Sequence, residues 1–248
     1  MVGVCTLLAW WFTMRDARRM AGGMRMPGGW IMSMMWMPMG TSTLFSALEF
    51  LLAWEIMMLA MMLPSVAPFM LLYGRVMGQR GKGHKGFVPP WIFSSGYFVV
   101  WLGFGVVAYA LGLSFTQATM KSMALSRLVP VLTGLVVFAS GIFQLTPWKQ
   151  SCLAHCRTPL DFVMVHWQEG ATGAFRMGVH HGAYCALCCW GLMAVQVAVG
   201  IMNLPLMLIL AAIILLEKIT RVGPGLARAV GVGLALWGAG MVGKGLMG

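Results

Sequence analysis

At 248 residues, 60% hydrophobic, 9% charged and with a mean hydropathy of +0.83, the chain excludes an ordinary soluble domain, in which about a quarter of residues are charged. The net charge of +11 does not point to nucleic acid, because the 17 Lys and Arg lie in connections and at helix ends and no basic recognition motif is present, a distribution that sets topology and meets anionic lipid. Apolar runs near the ~20 residues that cross a bilayer, without the short alternating segments of a β-barrel, predict an all-α, polytopic transmembrane helical bundle of about six to seven spans.

The first apolar run, Val2–Met14, is short for a crossing, and no small-residue cleavage site follows it. It reads as a retained first helix rather than a signal peptide. With the loop after it, it forms an N-terminal segment (1–42) ahead of a transmembrane helical domain (43–248). From Met14 to Gly40 there are nine methionines, Met14, Met20, Met24, Met26, Met32, Met34, Met35, Met37 and Met39, among four arginines. Thioethers select Cu(I). The alternative is Met standing in for Leu on an interfacial segment anchored by Trp30 and Trp36.

The second span, Thr43–Tyr73, carries Glu49 and Glu55. Glu49 reads as solvated near the headgroups. Glu55 sits at greater depth, where an ionisable side chain is costly and marks function unless a neighbouring helix binds its protonated form. Glu55, Met58 and Met62 share a helix face, with Met57 and Met61 beside them. Pro64 and Pro68 are expected to break or kink this helix and free backbone carbonyls. A basic glycine-rich loop, 74–90, follows, with His84 solvated in it. The third span is Trp91–Phe115, Thr116–Arg127 a polar turn region, and the fourth span Leu128–Leu145. The connection 146–176 contains Cys152, His155 and Cys156 bracketed by Pro147 and Pro159, a short helix of about two to three turns; Asp161 and His166 read as loop polar groups. The sixth and seventh spans are Leu204–Leu216, ending at Glu217 and Lys218, and Leu226–Met247. The glycines of the last span read as packing, not chemistry.

The fifth span, Met177–Asn203, concentrates the chemistry. It opens with His180 and His181 and carries Cys185, Cys188 and Cys189. His181, Cys185 and Cys188 fall on one stripe at helical spacing; Cys189, Met193 and Gln196 lie one step around. Sulfur and imidazole on one buried face suit Cu(I) or Zn(II), and the competing reading is small, well-buried packing residues. Five of the six cysteines lie in two tight clusters, which favours metal or thiol chemistry over stapling. Seven spans would put 74–90, 146–176 and 217–228 on the cytoplasmic side with ten Lys and Arg against seven on the other, a weak bias. Cys152, Cys156, His180 and His181 could then converge.

Three motifs, W-E-I-M-M-L-A-M-M-L-P-S at 54–65, T-P-W-K-x2-C-L-x2-C-R-x-P at 146–159 and G-x2-C-A-L-C-C-W-G-L-M at 182–193, resemble a bacterial family of predicted metal-binding integral membrane proteins, over about residues 44–220. The resemblance implies a helical, metal-binding protein of the bacterial inner membrane, with motif positions at Glu55, Met58, Met61, Met62, Cys152, Cys156, Cys185, Cys188, Cys189 and Met193; the residues themselves add His155, His180 and His181. The function expected is membrane handling of copper, as Cu(I), with zinc as a second metal: binding it and passing it on or transporting it. The alternative is a non-catalytic accessory subunit of a larger membrane complex, such as a copper-dependent monooxygenase or oxidase. A thiol redox enzyme lacks a source of thiolate activation, a bis-His haem site lacks a second intramembrane histidine, and no nucleotide or hydrolase motif is present.

Overall fold

The computed structural model describes residues 2–19, 23–36, 42–80 and 88–247. Met20, Met37, Met39 and His84 lie outside them. The architecture is all-α: α1 (Val2–Arg19), α2 (Thr43–Arg80), α3 (Pro90–Lys121), α4 (Met123–Leu145), α5 (Pro147–Arg157), α6 (Pro159–Val165), α7 (Gly170–Gly200), α8 (Leu204–Ile219) and α9 (Gly223–Met247). Between α1 and α2 lies a two-stranded ribbon, β1 (Met24–Arg25) against β2 (Ile31–Met32), followed by a 3-10 turn at Met34–Trp36. The ribbon reverses at Gly28 and Gly29, whose φ values of 98° and 78° suit glycine because it has no Cβ to clash. Trp30 Nε1 donates to Ser126 O at 3.0 Å, and Ser126 Oγ donates to Pro27 O at 2.8 Å. These bonds seat the described part of the methionine-rich segment on the α3–α4 turn.

Among the described residues, five helices, α2 (over Thr43–Val76), α3, α4, α7 and α9, are long and apolar enough to cross a membrane. α1 has four charged residues in its last five positions, and α8 has only 16 residues. Several boundaries differ from expectation. α2 runs unbroken through Pro64 and Pro68. Each proline removes one backbone donor, and locally Ser65 Oγ donates to Met62 O at 2.9 Å. The expected polar turn at Thr116–Arg127 is helical except at Ser122, which ends α3 and caps α4 by accepting from Leu125 N. The short helix between Pro147 and Pro159 is present, with Thr146 accepting from Lys149 N at its start.

α2 and α3 are antiparallel: Trp54 Nε1 donates to Trp101 O at 3.0 Å, and Tyr73 stacks on Phe93. α3 and α7 run parallel and approach through glycine. A Cβ on Gly96 would strike Phe175 O, and one on Gly178 would strike Phe93 O. α4 and α9 pack antiparallel along Gly134, Gly141, Gly231, Gly238 and Gly245, where added Cβ atoms would meet the facing helix. The packing reading of the last span holds for Gly231, Gly238 and Gly245, whereas Gly233, Gly240 and Gly243 have open space where a Cβ would lie. α8 returns from Asn203 so that its C-terminal end meets α5: Arg157 donates to Glu217 O and Arg221 O. Connection 146–169 and the α8–α9 turn thus share one end of the bundle, and the methionine ribbon lies at the other.

Candidate metal centre

The buried face of α7 carries Cys185, Cys188 and Cys189 at 0%, 1% and 1% exposure. Three neighbouring elements converge on it. The approach allowed by Gly178 and Gly182 brings α3 close enough for Tyr97 Oη to lie 2.9 Å from Cys185 Sγ. α5 presents Cys156, whose Sγ lies 3.8 Å from Cys188 Sγ. α8 presents Lys218, whose Nζ donates to Cys185 Sγ at 2.8 Å and to Ser65 Oγ of α2 at 3.4 Å. Cys189 Sγ donates to the Cys185 carbonyl at 2.8 Å, into its own helix.

A charged lattice holds α5 and α8 in place. Lys149 and Glu217 form the one ion pair among the described residues, at 2.7 Å and almost fully buried. Lys149 Nζ also donates to Cys188 O at 2.7 Å, and Gln144 Nε2 donates to Glu217 Oε1 at 2.9 Å. Removing one partner of such a buried pair leaves an uncompensated charge. The lattice therefore fixes the register of α5 against α7, and with it the Cys156–Cys188 separation. The Cys156 thiol is held well above its ordinary range, first by its hydrogen bond to Cys188 and then by burial. Cys152, half-buried one turn earlier, is raised by burial and then by Cys188, with Lys149 opposing.

The histidines divide into two settings. His181 is buried among the rings of Phe69, Phe162, Tyr97 and Phe93, with centroids at 3.8, 5.3, 5.8 and 6.1 Å; its Nδ1 has no partner among the described residues. His180 lies beside His166, with centroids 4.4 Å apart, and meets Tyr184 edge-on, while His155 stacks on the same Tyr184. His155, Asp161 and His166 line a cavity of about 280 Å³. His180 therefore faces the α5–α6 side with His166, and His181 faces the core.

Met58, Met61 and Met62 of α2 and Met193 of α7 are all buried in the same core. Glu55 is half-buried, and its Oε1 is enclosed without a hydrogen-bond partner among the described residues. Glu49 is exposed. A second cavity, about 210 Å³, is lined by Ser65, Pro68, Phe69, Cys156, Arg157, Pro159, Lys218 and Ile219. It reaches Cys156 between α2, α5 and α8. Among the described residues, no group of three or more His, Cys, Asp and Glu side chains is placed to hold a metal ion. The Cys156 and Cys188 thiols, from two different helices, meet at 3.8 Å.

Tyr97, Lys149, Glu217 and Lys218 were not among the expected site residues. Two signals could have found them. Lys149 lies within the T-P-W-K motif, and Glu217–Lys218 is an ionisable pair at the end of a strongly apolar run, a position that marks function by default.

A family model described as "PpoB2: Copper chaperone" matches residues 51–241. That range contains both cysteine clusters, the methionines of α2, Glu55, and the Lys149–Glu217 pair. No curated protein and no solved structure matches the chain. The chain belongs to this copper chaperone family, and it is a membrane protein by the length and apolarity of its helices.

Proposed function

From that membership we propose that the protein receives Cu(I) on the thiols at the α5–α7 contact and hands it on, within the membrane, to a copper enzyme or a larger membrane complex. The observation that carries this reading is the Cys156–Cys188 separation of 3.8 Å between two different helices. Two sulfurs at metal bond lengths of about 2.3 Å lie at most ~4.6 Å apart when in line, so a small opening of this contact admits an ion between them. Thiolates select Cu(I). Because no group of three or more His, Cys, Asp and Glu among the described residues is placed to hold a metal, the pair suits a metal of low coordination number better than zinc, whose structural sites take four ligands. Cys185 and Cys152 lie beside the pair as exchange ligands. The buried thioethers of Met58, Met61, Met62 and Met193, with Glu55, form a softer, weaker layer further along the bundle. Imidazoles of His155 and His180 stand toward the α5–α6 surface, and His181 supports the thiol face from within the ring cluster.

In this reading copper is cargo, and the chain's work is to hold, shield and release it. The test is anaerobic titration of the purified protein with Cu(I) against a chromophoric chelator, with metal-edge spectroscopy of the loaded form. The expected result is about one tightly held copper per chain with sulfur ligands, lost in Cys156→Ser and in Cys188→Ser and retained in Cys5→Ser. Equal retention in all three variants would remove the thiol pair from the reading; four-coordinate zinc in its place would replace the cargo.

A further inference from the structure

The cavity that reaches Cys156 is unusual in its charge. Its lining includes two basic side chains, Arg157 and Lys218, and no carboxylate. Glu217 is the acidic side chain nearest in sequence, and it is already engaged by Lys149 at 2.7 Å and by Gln144 at 2.9 Å. Arg157 spends its guanidinium on two backbone carbonyls, Glu217 O at 3.1 Å and Arg221 O at 3.5 Å. Lys218 donates to sulfur and to a hydroxyl. Neither cation has a carboxylate partner among the described residues. Asp161 lines the neighbouring cavity of His155 and His166 instead.

A bare cation approaching Cys156 by this route meets two like charges in a low-dielectric wall, where repulsion is strongest. An anion meets the opposite, because a cleft lined by one sign of charge focuses the field and raises the encounter rate of the opposite sign. A cavity of about 210 Å³ admits the reactive end of a small thiol and excludes a folded domain. Ser65 Oγ, itself buried, accepts from Lys218 and donates to Met62 O, which holds the Lys218 ammonium at the cavity wall.

We propose that copper reaches Cys156 through this cavity as an anionic Cu(I)–thiolate complex of a small carboxylate-bearing thiol, steered by Arg157 and Lys218. This rests on the copper reading above and names the form in which the cargo arrives. The transfer is a ligand exchange. Cys156 Sγ forms a bond to copper as the bond from copper to the donor sulfur breaks. The proton lost by the Cys156 thiol goes to the departing donor thiolate, and copper stays Cu(I) throughout, so no oxidant or reductant is consumed.

The test follows copper transfer to the detergent-solubilised protein by stopped flow from three Cu(I) donors at matched copper affinity: thiols bearing carboxylates, hydroxyls or a quaternary ammonium. Transfer from the carboxylated donor is expected to be about ten-fold or more faster than from the cationic one. The advantage should shrink as salt rises from about 0.01 to 1 M, collapse in Arg157→Gln and return in Arg157→Lys. Rates that ignore donor charge in the wild type would overturn the proposal. Because the salt series uses the wild type alone, it decides the matter even if Arg157→Gln fails to fold. Undiminished loading of Cys156→Ser from every donor would instead overturn the copper site itself, a failure distinct from that of the steering.

Discussion

α4 meets α9 over glycines, whereas α5, α7 and α8 meet over sulfur and charge. Both regions bring backbones close inside an apolar environment. Along the α4–α9 seam, Gly141 and Gly238 leave no room for a Cβ, and the contact is main chain against main chain. At the thiol end, contact is mediated by Lys149, Glu217, Gln144 and Lys218, each with named partners. The seam is tolerant of chemistry and intolerant of volume. The thiol end is the reverse, since a change of charge or donor there leaves a buried group unpaired.

That contrast can be broken by experiment. The largest effect is expected from Lys149→Met, which strands Glu217: stability should fall by about 3–5 kcal/mol, read as thermal unfolding in detergent, and the double variant Lys149→Met/Glu217→Leu should recover much of it. Next, Gly141→Leu on the seam should cost about 1–3 kcal/mol through overpacking while leaving copper affinity within about two-fold of the wild type, since nothing it touches reaches the thiols; an affinity loss matching that of Cys188→Ser would dissolve the distinction between the regions. The smallest effect concerns pH. Cys156 is held protonated by its Cys188 bond and burial and must lose that proton to bind metal, so Cu(I) affinity should rise with pH, by about ten-fold per unit for each proton released. The rise should persist past the ordinary thiol range near pH 8.5. A flat affinity between pH 6 and 9 would mean that the thiol is already ionised.

The two regions also differed in how far the sequence exposed them. One side of the seam was legible, because glycine recurrence in the apolar last helix has one main physical use, close approach; its partner helix α4 was not. The all-α bundle, the α5 helix between its prolines, and the grouping of Cys185, Cys188 and Cys189 on one buried face were legible from periodicity. The same periodicity placed His181 on that face, yet could not say that four rings would enclose it. Gly178 and Gly182 of α7 allow the approach of α3, but two isolated glycines in a helix do not say which neighbour they face. The ionic lattice was hidden for another reason. Lys149 and Glu217 are 68 residues apart, and each alone looks like a helix-end charge at the membrane surface. Only the return of α8 against α5 shows them to be buried partners. At Pro64 and Pro68 the expectation was a break or a kink, and of these the break is absent: α2 runs on as one helix through both prolines.

The shortness of α8 has its own consequence. Its 16 residues rise about 24 Å, less than the ~30 Å hydrocarbon thickness of a bilayer. Its terminal Glu217 and Lys218 therefore stop short of the depth that a full crossing would reach. On the copper reading, a water-borne donor arriving beside α5 would have only part of the hydrocarbon layer to cross before it met the buried thiols of α7.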